Sequence, residues 1–416
     1  MLVKFSVSNF LSIDDKQTLN LVASNSDKTS LKRHFKEFGD YKLNVLRTAA
    51  IFGPNASGKT NILKAIKFMK DFISNSSNNA PDASTYAMPF KFSKTNNTIS
   101  SFEAEFILKE IMYTYGFEID DKRVYKEWLY YYPKKYKRVI FERDENLPEK
   151  YKFGSDLKGS PKTVSNMTKT NSLFLSVLST MNEEISKNIF AFFGNISQIL
   201  NEDGFLNTII TKSALSKYCN NVERKVELIK YLTEADFGIK DIRIEKSHFD
   251  ISPAIKPLYE KEGKKDEAEF VKYLSELFTE QIKFSHKYND ISKDLDATEE
   301  SSGTIRFLNL LPQLLDNKGI TLIDEIETSL HPNILTFLLN LYYKLFPESQ
   351  LIFTSQNSDL LNTELLRRDE IYFTEKQQDG NTYLFSLDDI KPKPRFDDNI
   401  KMRYLYGQYG AIPNID

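Results

Sequence analysis

Cysteine is almost absent from this chain of 416 residues, which contains only Cys219. A single cysteine excludes both an internal disulfide and a zinc cluster built on cysteines. Among the four histidines, His34, His248 and His286 do not stand at the spacings of metal ligands. We therefore expect a protein of a reducing compartment, without a structural metal held by these residue types.

Long apolar runs and an excess of positive charge are missing as well. No stretch of about 18 or more apolar residues is present, so no membrane-spanning helix is expected. Residues 1–7 alternate like a strand and lack the apolar run of a signal peptide. The formal net charge is −2, so any basic surface for a nucleic acid would have to be local. These features predict a cytoplasmic protein with no membrane partner.

A phosphate-binding pattern stands near the N-terminus of the sequence. Residues 53–60 fit G-x-x-x-x-G-K-[ST], between an apolar strand at 48–52 and a helix with apolar residues on one face. Glycines allow backbone N–H groups to wrap a phosphate, and the helix N-terminus adds partial positive charge. The chain is therefore predicted to bind ATP or another nucleoside triphosphate. The predicted nucleotide-binding residues here are Gly53, Pro54, Asn55, Ala56, Ser57, Gly58, Lys59, Thr60 and Asn61.

A second motif supplies acidic residues for the same chemistry. Residues 319–325 form an apolar strand that ends in Asp324 and Glu325, the pattern known as Walker B. Lys59 would reach the β- and γ-phosphates, while Thr60 and Asp324 would hold Mg²⁺. Glu325 is the candidate general base that orients the attacking water.

A helix is predicted to begin about twenty residues before the Walker B strand. The motif at its start is weak by itself, and this position makes it a candidate part of the nucleotide site. Ser302 and Gly303 lie at this start, and a Ser-Gly pair at a helix N-terminus is an anion-binding device. The helix carries apolar residues on one face. Pro312 interrupts it, which predicts a kink or a break.

The remaining patterns predict the organisation of the chain. Residues 2–10 and 16–23 read as an antiparallel pair, 24–46 as polar and irregular, and 102–131 as a β meander. The basic run 134–138 either contacts a phosphate backbone or forms a solvated hairpin tip, and we favour the tip. Strands near 281–286, 320–323 and 350–354 alternate with helices, which indicates a parallel sheet. The predicted domains are an N-terminal half at 1–160, a helical insertion at 161–280 and a C-terminal half at 281–416.

Together these motifs resemble the ABC-type ATPases of the structural-maintenance-of-chromosomes (SMC), RecF and overcoming-lysogenization-defect (OLD) group. Within that group the sequence is most similar to the stand-alone bacterial AAA family ATPases of abortive-infection, or anti-phage, systems. The resemblance rests on residues 9–12, the loop 53–60, residues 300–304, residues 324–332 and the tail 404–413. It implies an α/β fold: an ABC-type P-loop NTPase head with a mixed sheet, flanking helices and an antiparallel β lobe.

The resemblance also implies roles for residues outside the phosphate loop. Ser302 and Gly303 match the signature that contacts the γ-phosphate held by a second subunit. Ser329 and His331 match the D-loop along the dimer interface, although His331 is equally consistent with a residue packed at a turn. Gln356 stands where many relatives carry His; because glutamine cannot carry charge, slow or partner-dependent hydrolysis is expected.

The leading functional hypothesis is an ATP-hydrolysing sensor or scaffold of an anti-phage system. It would form an ATP-sandwich homodimer or higher oligomer and act with a separate effector, a TOPRIM-type nuclease. The residues after Gln356 contain no Asp-x-Asp cluster at the end of an apolar strand, so we expect no nuclease centre in this chain. The alternative is a DNA-repair ATPase of the RecF or SMC kind that binds DNA directly. A transporter subunit is the weakest alternative, because such subunits are usually shorter.

Overall fold

The structure, a computed structural model, describes residues 1–25, 31–93, 97–181, 183–199, 214–246, 280–395 and 398–413. The chain forms two compact units. The first comprises Met1–Ile199, Asn317–Glu327 and Asn340–Asp416, and the second comprises Leu200–Asp316 and Thr328–Leu339.

The described chain contains both β-strands and α-helices, which alternate in some parts of the chain and not in others. The strands are β1 (Leu2–Ser8), β2 (Gln17–Asn20), β3 (Phe35–Phe38), β4 (Leu43–Leu46), β5 (Thr48–Phe52), β6 (Ser100–Leu108), β7 (Ile111–Ile119), β8 (Val124–Tyr131), β9 (Arg138–Asp144), β10 (Tyr151–Phe153), β11 (Ile196–Ile199), β12 (Ile239–Lys246), β13 (Glu280–Tyr288), β14 (Ile291–Asp296), β15 (Ile320–Ile323), β16 (Gln350–Thr354), β17 (Ile371–Lys376) and β18 (Thr382–Ser386). The α-helices with defined bounds are α1 (Lys59–Asn75), α2 (Pro161–Met167), α3 (Phe174–Thr180), α4 (Glu184–Gly194), α5 (Val222–Glu234), α6 (Ser302–Asp316), α7 (Pro332–Leu345) and α8 (Ile400–Leu405).

An antiparallel β lobe forms one part of the first unit. Its strands run in the order β10-β9-β8-β7-β6-β1-β2. Strand β6 illustrates how the sheet is buried on one face. Phe102, Ala104 and Phe106 are buried, while the glutamates between them are partly exposed. An alternating pattern of this kind is typical of a sheet with one face on a core. The predicted N-terminal pair and the β meander are both confirmed.

A six-stranded sheet forms the other part of the first unit, in the order β11-β15-β16-β5-β17-β18. Strands β11, β15, β16, β5 and β17 are parallel, and β18 returns antiparallel to β17. All five residues of β5 are buried between β16 and β17. Because the carboxyl ends of parallel strands meet at one edge, the residues that follow β5, β15 and β16 share that edge. The α/β fold class predicted from the sequence is confirmed.

Helix α1 packs its apolar face onto this framework. Ile62, Ile66, Met69 and Ile73 are all buried, as their spacing along the helix predicts. Phe68 stacks on Phe102 of the β lobe with ring centroids 5.0 Å apart. The phosphate loop therefore stands between a buried strand and a buried helix. Within the described ranges, no helix has the length and apolar composition needed to cross a lipid bilayer.

The second unit has a sheet of its own, formed by β12, β13 and β14 in antiparallel order. The strand predicted near 281–286 thus lies in this three-stranded sheet, and the return to the parallel sheet comes only at β15. Residues of the predicted insertion, 161–280, divide between the units: α2, α3, α4 and β11 belong to the first, and α5 and β12 to the second. Residues 200–213 and 247–279, including His248, lie outside the described part of the chain.

Two local predictions differ from the structure, one in whole and one in part. Residues 24–46 were expected to be irregular, yet β3 and β4 pair as a hairpin, with Val45 and Leu46 fully buried. This short hairpin was missed because only its return strand carries a clear apolar pattern. Of the predicted kink or break at Pro312, the break is absent, since α6 continues to Asp316. Burial of most of the helix, including Leu308 and Leu311, offsets the cost of a proline in its interior, about 3 kcal/mol.

Candidate functional site

The phosphate loop connects β5 to α1 and depends on its two glycines. Gly53 has φ +149° and Gly58 has φ +106°, backbone conformations that other residues rarely adopt. A Cβ atom on Gly53 would lie 2.5 Å from the carbonyl oxygen of Thr374, and one on Gly58 would overlap with the Thr382 hydroxyl. The loop geometry therefore excludes a side chain at both positions, for reasons of conformation and of space.

Lys59 is the buried cation of the loop. Its Nζ donates to the carbonyl oxygens of Gly53 at 2.8 Å and Pro54 at 3.0 Å. Burial lowers the pKa of the Lys59 ammonium, while the carboxylates of Glu325, Glu327 and Asp324 act in the opposite direction. The side chain therefore curls back on the loop, where its charge is available to a phosphate. Asn55 and Ala56 form the exposed rim of the loop.

The Thr60 hydroxyl and the Asp324 carboxylate meet, as the sequence motifs predicted. Thr60 Oγ1 lies 2.9 Å from Asp324 Oδ2 and 3.1 Å from Oδ1. Thr354, at the end of β16, donates to Asp324 Oδ1 at 2.5 Å. The same Thr354 hydroxyl accepts the backbone N–H of Glu325 at 2.8 Å. One threonine thus positions both acidic residues, although nothing in the sequence pattern assigns a role to Thr354.

Glu325 and Gln356 form the next contact at this edge of the sheet. Gln356 Nε2 donates to Glu325 Oε1 at 2.7 Å. The Gln356 backbone N–H donates to Glu327 Oε1 at 2.6 Å, which places the segment after β16 against the turn after β15. Glu325 has φ +46°, an uncommon conformation for this residue type that is associated with functional sites. The candidate base is therefore held by its backbone and by its side chain.

Two members of the predicted nucleotide set direct their side chains elsewhere. The Ser57 hydroxyl is buried against Thr374 Oγ1 at 2.6 Å, and Asn61 Nδ2 donates to Ser12 Oγ at 2.7 Å. Both side chains therefore have protein partners, and because Ser57 is buried, its contribution to nucleotide binding would come from the backbone. The sequence pattern could not reveal this, because the partners are distant along the chain.

The chemistry of the site fits a nucleoside triphosphate with Mg²⁺. A positively charged ammonium lies beside two glycines whose lack of a side chain lets backbone approach a phosphate closely. A hydroxyl and a carboxylate converge a short distance away, and oxygen donors of this kind suit Mg²⁺. Thr60 and Asp324 are the residues that would hold the metal.

The predicted signature and D-loop residues lie in the second unit. Ser301 caps helix α6 by accepting the Thr304 backbone N–H at 3.0 Å. Ser302, one residue further, is exposed at the helix start. A Cβ on Gly303 would lie 2.8 Å from the Ser329 carbonyl oxygen, so the signature glycine and the D-loop serine are brought together. His331 is exposed, and its Nδ1 accepts the Asn333 backbone N–H at 3.2 Å, a contact that caps α7.

A comparison with protein families found one match, which covers the region of this site. A family model described as "AAA domain, putative AbiEii toxin, Type IV TA system" matches residues 49–167 and 186–362. These ranges include the phosphate loop, the signature region, the Walker B acids and Gln356. No curated protein sequence matches the chain.

Solved structures of SMC head domains are similar to the chain. An SMC head bound to the C-terminal winged-helix domain of ScpA is 15% identical, with 92% of this chain and 97% of that chain covered and a TM-score of 0.43. The SMC head domain of Thermotoga maritima is 13% identical, with 92% of this chain and 98% of that chain covered and a TM-score of 0.43. An SMC head with an extended coiled coil, bound to the C-terminal domain of ScpA from Pyrococcus furiosus, is 14% identical. The match covers 92% of this chain and 96% of that chain, with a TM-score of 0.40.

The family match covers well over half of the chain and includes both nucleotide-binding motifs. The members of such a family bind a nucleotide through these motifs, usually with Mg²⁺. The chain belongs to the AAA-domain family described as "putative AbiEii toxin, Type IV TA system".

Proposed function

We propose that this protein binds and hydrolyses ATP as the sensor or scaffold subunit of a bacterial anti-phage system. The contact between Glu325 and Gln356, 2.7 Å long and beside the Thr60–Asp324 pair, is the observation that carries the hydrolytic part. The contact joins a carboxylate and an amide beside the Thr60–Asp324 pair at one edge of the sheet, where an α/β protein presents its ligands, and this arrangement supports the proposal.

In this proposal Lys59 leaves its loop carbonyls and binds the β- and γ-phosphates. The exchange replaces neutral acceptors by charged ones, so the hydrogen bonds become stronger. Mg²⁺ bound by Thr60 and Asp324 would neutralise charge on the phosphate oxygens. Glu325 accepts a proton from the attacking water, and Gln356 holds the carboxylate in position.

The glutamine at position 356 limits the rate in this proposal. Its amide donates to Glu325, but it remains neutral at every stage, whereas a histidine at this position can become charged. Hydrolysis by the isolated chain is therefore expected to be slow, or to depend on a partner. A slow cycle suits a sensor that must remain in its ATP-bound state.

The proposed assembly is a homodimer that encloses two ATP molecules. The exposed Ser302 begins a 15-residue helix, and its N-terminal N–H groups are suited to a phosphate. The family resemblance implies that this phosphate is held by a second copy. Gly303 and Ser329 would then lie along the shared interface.

The defensive role is supported by the family description, which names a toxin of a toxin–antitoxin system. We propose that a separate TOPRIM-type nuclease is the effector. Tyr404 and Tyr409 of the tail pack against Phe373, whereas Leu405 and Tyr406 are 52% and 73% exposed. The exposed side of α8 is the proposed docking surface for this partner.

Direct DNA binding is the second candidate function, and one observation favours it. The basic run 134–138 is exposed throughout and ends a hairpin of the β lobe. Tyr136 is 78% exposed among these charges, which suits contact with a nucleic acid backbone and bases.

Replacement of Lys59 tests nucleotide binding. Lys59→Ala removes the charge that meets the phosphates, and affinity for ATP measured by calorimetry should fall about 100-fold. Lys64→Ala is the matched control, because Lys64 is exposed on the same helix. Equal affinity of the Lys59→Ala variant and the wild type would refute the assignment of this loop.

Replacement of Glu325 tests hydrolysis. Glu325→Gln keeps the shape of the side chain but removes the base, so phosphate release should slow by about 10²–10⁴-fold while ATP still binds. Glu364→Gln, at an exposed position, is the control. Unchanged turnover in the Glu325→Gln variant would exclude Glu325 as the base.

A mixing experiment tests the shared site. Lys59→Ala and Ser302→Arg chains should each be inactive, and an equal mixture should regain partial ATPase activity because one intact composite site forms. A chain with both substitutions, mixed with the Lys59→Ala chain, is the control and should stay inactive. Absence of recovery between folded, exchanging chains would contradict an ATP-sandwich dimer.

The effector proposal predicts what the purified chain does alone. It should hydrolyse ATP and should cleave neither DNA nor RNA in the presence of Mg²⁺ or Mn²⁺, whereas cleavage should appear with the partner nuclease. Nuclease activity that disappears on substitution of this chain's own acidic residues would contradict the proposal. ATPase stimulation by double-stranded DNA that is lost on replacing Lys134 and Lys135 by alanine would favour the second candidate function.

A further inference from the structure

The hairpin of β17 and β18 contacts the phosphate loop at both of its glycines. Thr374 of β17 lies against Gly53, and Thr382 of β18 lies against Gly58. Both threonine side chains belong to residues with no solvent exposure. The hairpin and the loop belong to the same compact unit, although these partners are separated by more than 300 residues of sequence.

Thr374 anchors the first half of the loop. Its hydroxyl donates to the Phe52 carbonyl oxygen at 3.3 Å. Since a hydroxyl has one proton, the contact at 2.6 Å between Thr374 and Ser57 must then be donated by Ser57. Thr374 thus binds a residue on each side of the loop, at its entrance and just before its last glycine.

Thr382 anchors the second half. Its hydroxyl donates to the Ser57 carbonyl oxygen at 3.0 Å and accepts from Ser12 Oγ at 2.7 Å. Ser12 in turn accepts from Asn61 Nδ2 at 2.7 Å. The result is a directed chain of hydrogen bonds that begins on α1 and ends on the loop backbone.

These anchors orient the donors of the loop. A trans peptide is planar, with its C=O and N–H on opposite sides. When Thr374 holds the Phe52 carbonyl and Thr382 holds the Ser57 carbonyl, the N–H groups of Gly53 and Gly58 point away from the hairpin. A phosphate needs N–H groups that already point inward, because a loop ordered only on binding loses affinity.

The hairpin is itself fixed on its other side. Asn381 Oδ1 accepts the Asp14 backbone N–H at 2.8 Å, and Gln17 Oε1 accepts the Leu384 backbone N–H at 2.9 Å. Asp14 lies in the turn between β1 and β2, and Gln17 lies in β2, a strand of the β lobe sheet. The threonines therefore stand on a rigid support, as a positioning element requires.

We propose that Thr374 and Thr382 are positioning residues that hold the phosphate loop in its nucleotide-binding conformation. The inference rests on the proposed ATP-binding function and adds the residues outside the loop motif that determine its affinity. These threonines do not touch the nucleotide in this proposal; they act through the peptides that follow Phe52 and Ser57.

The test compares Thr382→Val and Thr374→Val with Thr382→Ser and Thr374→Ser. Valine keeps the shape and removes the hydroxyl, so the dissociation constant for the non-hydrolysable analogue AMP-PNP with Mg²⁺ should rise about tenfold, as expected for one lost hydrogen bond. The serine variants should bind like the wild type. In steady-state assays with ATP, KM should rise more than kcat falls. Thr114→Val is the control, because it removes a similarly buried hydroxyl from the β lobe.

Thermal unfolding separates positioning from general damage. The valine variants should lose some stability but still unfold cooperatively above the assay temperature, and only they, not Thr114→Val, should lose affinity. Valine variants that bind as the wild type does, or serine variants that are as weak as the valine ones, would overturn the inference and leave the proposed function intact. A wild-type chain that binds no nucleotide would refute the proposed function and this inference together.

Hydrogen–deuterium exchange on the wild-type chain gives a measurement that does not depend on variant folding. AMP-PNP with Mg²⁺ should protect residues 53–61 and, through the anchors, residues 371–386. Residues 138–144 of the β lobe should not change and serve as the internal reference. Protection of the loop without protection of the hairpin would also overturn the inference.

Discussion

The close approach between the phosphate loop and the β17–β18 hairpin is the constraint on which the site depends. Gly53 and Gly58 lack side chains where Thr374 and Thr382 need the space, and the hydroxyls of those threonines satisfy loop backbone groups in return. A buried backbone carbonyl without a partner is costly, so the loop and the hairpin stabilise each other. The loop motif is therefore local in sequence, whereas its conformation requires a strand pair at the far end of the chain.

The parallel sheet gathers the reactive groups by the order of its strands. Strand β16 lies between β5, which leads into the phosphate loop, and β15, which leads into the Walker B acids. Thr354 at the end of β16 therefore lies close enough to bind both Asp324 and Glu325. Its hydroxyl donates to Asp324 and accepts from the Glu325 backbone, which uses both of its hydrogen-bonding functions. Asp324, the carboxylate proposed to hold Mg²⁺, and Glu325, the candidate base, are thereby held in a defined relation to each other.

The predicted site residues are divided between the two compact units. Lys59, Thr60, Asp324, Glu325 and Gln356 belong to the first, while Ser302, Gly303, Ser329 and His331 belong to the second. The contact of Gly303 with the Ser329 carbonyl shows that the signature and the D-loop form one local structure. In the proposed dimer, this division would link the binding of nucleotide to assembly. The neutral Gln356 suits a slow form of such a cycle.

The sequence alone determined the phosphate loop, its flanking strand and helix, the Walker B strand and the antiparallel meander. Each of these depends on spacing or periodicity within a short stretch, and such local patterns can be recognised without knowledge of the fold. Tertiary structure decided that β13 joins a separate sheet, that Pro312 leaves α6 unbroken, and that the side chains of Ser57 and Asn61 bind Thr374 and Ser12. It also decided the roles of Thr374 and Thr382, which lie 317 and 325 residues from Ser57. Strand order, and not the sequence pattern, places those hydroxyls beside the loop, because a hydrogen bond depends on distance in space and not along the chain.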